Sequence, residues 1–123
     1  MTRIITKTIH AYLDYPVAVG LIVMPTLLGL GTLNPLAFWL SIVTGVAALM
    51  LTLFTDHDTG VFPILPYSLH LIVDAMVGLA FVAAPFVLGF AGLDAAYYWA
   101  IGATVLVVVG LHKSESAAVA AAA

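Results

Sequence analysis

The chain has 123 residues, 64% of them apolar or aromatic and 7% charged, with a mean hydropathy of +1.22 and a formal net charge of −3. Soluble domains carry about 45–50% apolar and about 25% charged residues, so this composition cannot coat a globule with a water-compatible surface and implies lipid as the solvent. With Arg3, Lys7 and Lys113 as its only Lys or Arg, the chain is excluded as a nucleic-acid binder, and the absence of cysteine excludes a disulfide framework, a thiolate metal site and a cysteine nucleophile.

Residues 1–8, with Arg3 and Lys7, read as a cytoplasmic tail. They resemble the start of a secretory leader, but the apolar run continues through Pro25 without a small-residue cleavage site, so the segment is expected to be retained. Residues 15–55 contain no Asp, Glu, Lys, Arg or His, about twice the ~20 residues that one helix needs to cross a bilayer, so the run must turn once. The turn signal is Gly29, Gly31, Thr32, Asn34 and Pro35, with Asn34 a predicted helix cap and Pro35 suited to the first helical position. Helices are predicted near 9–30 and 36–54. Residues 55–68 form a predicted cytoplasmic loop in which Asp56, His57 and Asp58 read as a solvated turn, or as accessory ligands or a partner contact. Its apolar part, residues 62–67, is too short to span and is expected to lie in the membrane interface.

A second hairpin follows the same plan, with helices predicted near 69–90 and 95–112 and Asp94 as the predicted cap of the last. Trp39 and Trp99, with Phe38, Tyr97 and Tyr98, fall near the starts of the second helix of each hairpin, where an interfacial aromatic belt accounts for them. The alanine-rich residues 114–123 are expected to be a disordered tail. The apolar runs lack the period-two alternation of barrel strands and are twice too long for them. The predicted architecture is therefore all-α: an integral membrane four-helix bundle of two tandem hairpins, residues 9–54 and 69–113. An even number of spans puts both termini and the central loop on one side, and the positive-inside rule makes that side cytoplasmic.

Displacing the sequence by 60 positions superposes His10 on His70, Asp14 on Asp74, Pro25 on Pro85, Gly29 on Gly89 and Trp39 on Trp99. Because each copy crosses twice, the copies share one orientation, and their natural relation is a pseudo-two-fold axis along the membrane normal. At 100° per residue, His10, Asp14, Val17, Pro25 and Leu28 fall within about 80° on the helical wheel, a stripe expected to face the bundle interior. Pro25 and Pro85 each remove a backbone hydrogen bond and are expected to kink their helices, with neighbouring groups taking up the freed carbonyls. Gly20, Gly45, Gly78 and Gly102 read as small contacts between helices.

This pattern resembles the bacterial SPW-repeat membrane proteins, whose hairpins begin with a His-x-x-x-Asp segment, continue to a Ser-Pro-Trp-like stretch and Leu-Gly-Phe, and end in a Trp-bearing second helix. The matching text is HAYLDYPVAVGLIVMPTLLGL (residues 10–30), TDHDTG (55–60) and HLIVDAMVGLAFVAAPFVLGF (70–90), and the resemblance extends over about residues 9–112. It departs at the Ser-Pro-Trp itself, which reads Met24-Pro25-Thr26 and Ala84-Pro85-Phe86, so no role of that tryptophan carries over. The resemblance implies an integral membrane protein of two repeats and no particular activity.

Ionisable groups inside a membrane are costly unless paired or hydrated, which singles out Asp14 and Asp74, each one turn from His10 or His70 on the same face. The first reading is structural: His and Asp pair across the hairpins and lock a non-catalytic membrane component, structural, accessory or concerned with assembly, in the bacterial inner membrane. On that reading no cofactor is expected, and the partners are the bilayer together with other membrane subunits or further copies of the chain. The rival reading gives the same four side chains a divalent metal ion such as Zn²⁺, Mn²⁺ or Fe²⁺, a haem b held by His10 and His70, or a proton relay. No nucleophile constellation accompanies Ser41, Ser68 or Thr44, and no glycine-rich phosphate loop is present, so an enzyme is not expected.

Overall fold

Caps and left-handed glycines set the helix limits. The computed structural model describes residues 5–56 and 60–113. Its four long helices are α1 (Lys7–Leu28), α2 (Pro35–Phe54), α3 (Tyr67–Leu88) and α4 (Gly92–Gly110). Thr6 Oγ1 accepts from the Ile9 N–H and starts α1 two residues earlier than expected, while the extended Pro66 precedes the equally early start of α3. Gly29 and Gly89 adopt φ of 66° and 72°, which ends α1 and α3 at residues 28 and 88 rather than 30 and 90. After Gly29 the carbonyls of Pro25 and Thr26 accept from Leu30 N–H and Gly29 N–H, closing the helix end.

Asn34 caps α2 as its sequence position implies, its Oδ1 accepting from Leu36 N–H with Pro35 behind it. Asp94 does not cap α4. Ala91 occupies the cap position, so Asp94 lies inside the first turn and reaches the other hairpin, where Oδ1 accepts from Gly31 N–H at 3.0 Å. Asn34 returns the contact by donating from Nδ2 to Leu88 O at 3.0 Å. Repeat-related positions thus tie the two short turns together.

The tightest packing is within each hairpin, α1 on α2 and α3 on α4. A Cβ on Gly45 would fall 2.9 Å from Ala18 O and closer still to Leu21 and Ile22, and one on Gly102 would fall 2.8 Å from Gly78 O. Gly45, Gly78 and Gly102 are therefore close-contact positions, as expected of small residues between membrane helices. Gly20 is not, since a Cβ there would meet nothing within 4 Å. Between the hairpins the core holds Leu21, Phe81, Phe90, Tyr97 and Tyr98. Tyr97 and Tyr98 thus leave the expected aromatic belt for the interior, Tyr98 being 0% exposed with its hydroxyl donating to Ala37 O at 2.7 Å. Trp39 and Trp99 remain 59% and 42% exposed.

Two-residue strands β1 (Ile5–Thr6) and β2 (His112–Lys113) pair in parallel, bringing the start of α1 and the end of α4 to one face of the bundle. On the same face residues 61–65 fold back on the end of α2, their N–H groups donating to Leu53 O and Phe54 O, which the helix leaves without donors of its own. This segment presents Val61, Phe62 and Ile64 outward and spans nothing. Each of α1 to α4 is long and apolar enough to cross a bilayer, and their outer faces expose residues such as Val43, Met76, Leu79 and Val107. The chain is a multi-pass all-α membrane protein whose outer surface is matched to lipid tails.

Because the atoms met at Gly102 include backbone, Gly102→Ala is expected to destabilise the purified protein by about 1–3 kcal/mol. Gly20→Ala should be neutral or stabilising by up to about 1 kcal/mol through helix propensity. Reversible unfolding in mixed micelles measures both, and a similar loss at the two positions would contradict the assigned packing.

Candidate functional site

One turn into α1 and α3, the two His-x-x-x-Asp segments face each other. His10 and His70 are 2% and 1% exposed, with ring centroids 5.5 Å apart and planes at 87°. His10 Nε2 lies 2.8 Å from Asp74 Oδ2 across the bundle and 3.1 Å from Asp14 Oδ1 on its own helix. His70 Nε2 lies 3.2 Å from Asp14 Oδ2 across the bundle and 3.2 Å from Asp74 Oδ2 on its own helix. The four groups form a ring in which every carboxylate meets an imidazole from each repeat. The i,i+4 spacing places each His above its Asp, and the shared helix face turns both pairs inward. Tyr67 covers the ring from the loop side, edge-on to His10 at 5.9 Å and tilted against His70 at 6.1 Å.

Thr55, where α2 ends, fixes one imidazole. Its hydroxyl donates to Leu51 O, so its oxygen accepts from His70 Nδ1–H at 2.9 Å. Nδ1 therefore carries a hydrogen, and Nε2 is the nitrogen turned to the carboxylates. A bare Nε2 lone pair would face two anionic oxygens, so a proton or another cation must stand between them.

Beside the ring lies a cavity of about 430 Å³, bounded by all four helices. Beyond the quartet its lining holds Thr44, Thr52 and Thr104 and is otherwise Val, Leu and Ala. The cavity explains why the predicted interior stripe is interrupted: His10 and Pro25 are buried, Val17 lines the open space and is 37% exposed, and Leu28 sits at the exposed helix end.

A second polar layer lies toward the short turns. Pro25 has no N–H to offer Leu21 O, and Ser41 Oγ from α2 donates to that carbonyl at 2.8 Å. Tyr97 of the other hairpin in turn donates its hydroxyl to Ser41 Oγ at 2.6 Å. In the second repeat Trp99 Nε1 donates to Val82 O at 3.1 Å, close to Pro85. The freed carbonyl of the first proline is thus taken up as expected, by residues that the repeat comparison passed over. Ser41 and Tyr97 have Ile101 and Ala37 as their counterparts, so symmetry gave them no weight. The usable signal was Pro25 itself, whose missing N–H called for a hydroxyl one helix away.

Of the loop residues, Asp56 is exposed and holds Leu65 O through its backbone N–H, apart from the ring. His57 and Asp58 lie outside the described residues, as do Arg3 and residues 114–123. Among the described residues, His10, Asp14, His70 and Asp74 form a group with metal-ligand chemistry, one donor atom from each lying within 4.8 Å of all the others. Haem does not fit between the histidines, because the carboxylates occupy the space at both Nε2 atoms that a porphyrin would need. Compared with family models, curated proteins and solved structures, the chain matches none.

Ser41→Ala is expected to cost about 1–3 kcal/mol by stranding Leu21 O and Tyr97. In a Pro25→Ala background, where a backbone N–H again serves Leu21 O, that cost should fall by about 1 kcal/mol. Strict additivity in the double-mutant cycle would break the assignment.

Proposed function

We propose that the protein is a non-catalytic structural or accessory component of the bacterial inner membrane, of the SPW-repeat type, in which the His/Asp ring fastens two tandem hairpins. The observation that carries this reading is the crossed pairing, His10 with Asp74 and His70 with Asp14. Within lipid, burial of apolar surface does not drive helices together, so polar contacts and close packing decide which helices associate. Here close packing builds each hairpin, and polar contacts at both ends of the bundle join one hairpin to the other.

The SPW-repeat assignment rests on the duplicated His-x-x-x-Asp, the Pro and Leu-Gly positions and the Trp of each second helix. A cytoplasmic placement of the termini and central loop is supported by β1, β2 and residues 61–65 lying at one face together with the positions of Lys7 and Lys113 in the chain. Interfacial seats for Trp39 and Trp99 are supported by their exposure. A proton relay gains little support, since among the described residues the cavity lining offers no ionisable group beyond the ring.

Removing one member of the ring strands its neighbours. His10→Leu should destabilise the bundle by about 3–5 kcal/mol, as expected for an ion pair broken away from water, whereas Asp14→Asn, which keeps hydrogen bonding and loses a charge, should cost clearly less. Unfolding in mixed micelles reads both, and equally small effects would remove the lock.

A further inference from the structure

We propose that the His/Asp ring is a binding site for one first-row divalent transition-metal ion of the Zn²⁺ class, held by His10, Asp14, His70 and Asp74. The inference rests on the ring's role as the join between hairpins and adds the ion that the join accepts.

Three observations carry it. The donor set is two imidazoles and two carboxylates, which suit a borderline divalent ion in the absence of thiolates. The distances fit as well. A tetrahedral ion with bonds of 2.0–2.1 Å separates its ligand atoms by roughly 3.3 Å. The four His–Asp contacts of 2.8–3.2 Å lie just inside that edge, and the widest separation among the four donor atoms is at most 4.8 Å. Opening the short edges by a few tenths of an ångström while drawing the far donors together encloses the ion. Finally, Thr55 holds His70 through Nδ1–H and leaves Nε2 as the donor atom, the outer contact that orients a metal-binding histidine.

Charge balance favours the same ion. One divalent ion held by two neutral imidazoles and two carboxylates makes the ring neutral, which a membrane interior demands. Four protein donors close the coordination sphere, the mark of a structural rather than catalytic site. The adjoining cavity supplies the approach, with the quartet along its wall.

The test uses the full chain, purified in detergent without a histidine tag and stripped with a chelator. Titration with Zn²⁺ should show one equivalent bound, and Co²⁺ at the same site should give the intense visible bands of a tetrahedral N/O complex, which Zn²⁺ abolishes. His70→Ala and Asp14→Ala should each weaken Zn²⁺ at least 100-fold. Thr55→Val, which touches no donor atom, should weaken it about 10- to 100-fold and leave the Co²⁺ bands tetrahedral. The double variant Asp56→Ala/His57→Ala should retain the full equivalent. Absence of stoichiometric binding by the wild-type chain overturns the proposal, as does its loss in the loop variant or an octahedral Co²⁺ spectrum. Should the ring variants fold poorly, the wild-type Co²⁺ spectrum and Thr55→Val still decide. If the wild-type chain binds no metal while His10→Leu remains strongly destabilising, the metal site falls and the lock stands; if metal binds and His10→Leu is harmless, the lock falls.

Discussion

Two carboxylates inside a lipid-facing bundle must be neutralised together, and that requirement organises the molecule. A single His-x-x-x-Asp segment could pair its own residues along one helix turn, yet a lone imidazole would offer its carboxylate just one donor direction. In the bundle each carboxylate is approached from both repeats, at 2.8–3.2 Å. The site belongs to neither hairpin. It exists only where α1 and α3 face each other, so pairing the carboxylates and pairing the hairpins are one event.

The rest of the architecture follows from how little else can join helices in a bilayer. Within a hairpin, Gly45 or the Gly78 and Gly102 pair lets backbones approach closely. Between hairpins, the turns exchange hydrogen bonds through Asn34 and Asp94, a second layer runs from Tyr97 through Ser41 to Leu21 O, and Tyr98 reaches Ala37 O. These contacts hold α2 and α4 together near the short turns. Toward the other end the space between the same helices becomes the cavity, and the ring joins the hairpins beside the Thr55–His70 hydrogen bond and the β1–β2 pairing.

The sequence was most informative where physics leaves few choices. Long uncharged runs in lipid must be helices, and Gly29 and Gly89 must stop them, so four spans and their order are legible from composition and spacing alone. The 60-residue displacement also identified His10, Asp14, His70 and Asp74, because ionisable residues are rare enough in such a chain for their coincidence to carry weight. Apolar coincidences carry none, and residues outside the repeat were therefore opaque. Tyr97 and Tyr98 looked interfacial because aromatic residues near helix ends usually are; their hydroxyls find partners at Ser41 and Ala37, which a linear reading does not bring near. Asp94 looked like a cap because it opposes Asn34, but the helix begins at Gly92, three residues earlier than expected, and frees the carboxylate for Gly31. Thr55 was hidden differently, since its importance depends on a loop that returns α3 beside the end of α2.

The departures from symmetry are as instructive as the repeat. Asp74 presents one oxygen, Oδ2, to both imidazoles, whereas Asp14 divides its two oxygens between them. Thr55 braces His70, and its counterpart 60 residues on is Glu115, so the brace has no sequence equivalent in the second copy. Tyr67 packs over both rings, while the matching position in the first repeat is Lys7. A strictly symmetric ring would weigh its two histidines equally. Fixing one imidazole by a hydroxyl at Nδ1 sets where its Nε2 points, toward the carboxylates of both repeats. The repeat holds the donors in matched pairs, and Thr55 and Tyr67, which have no like residue 60 positions away, give the cluster a fixed point from which its geometry is set.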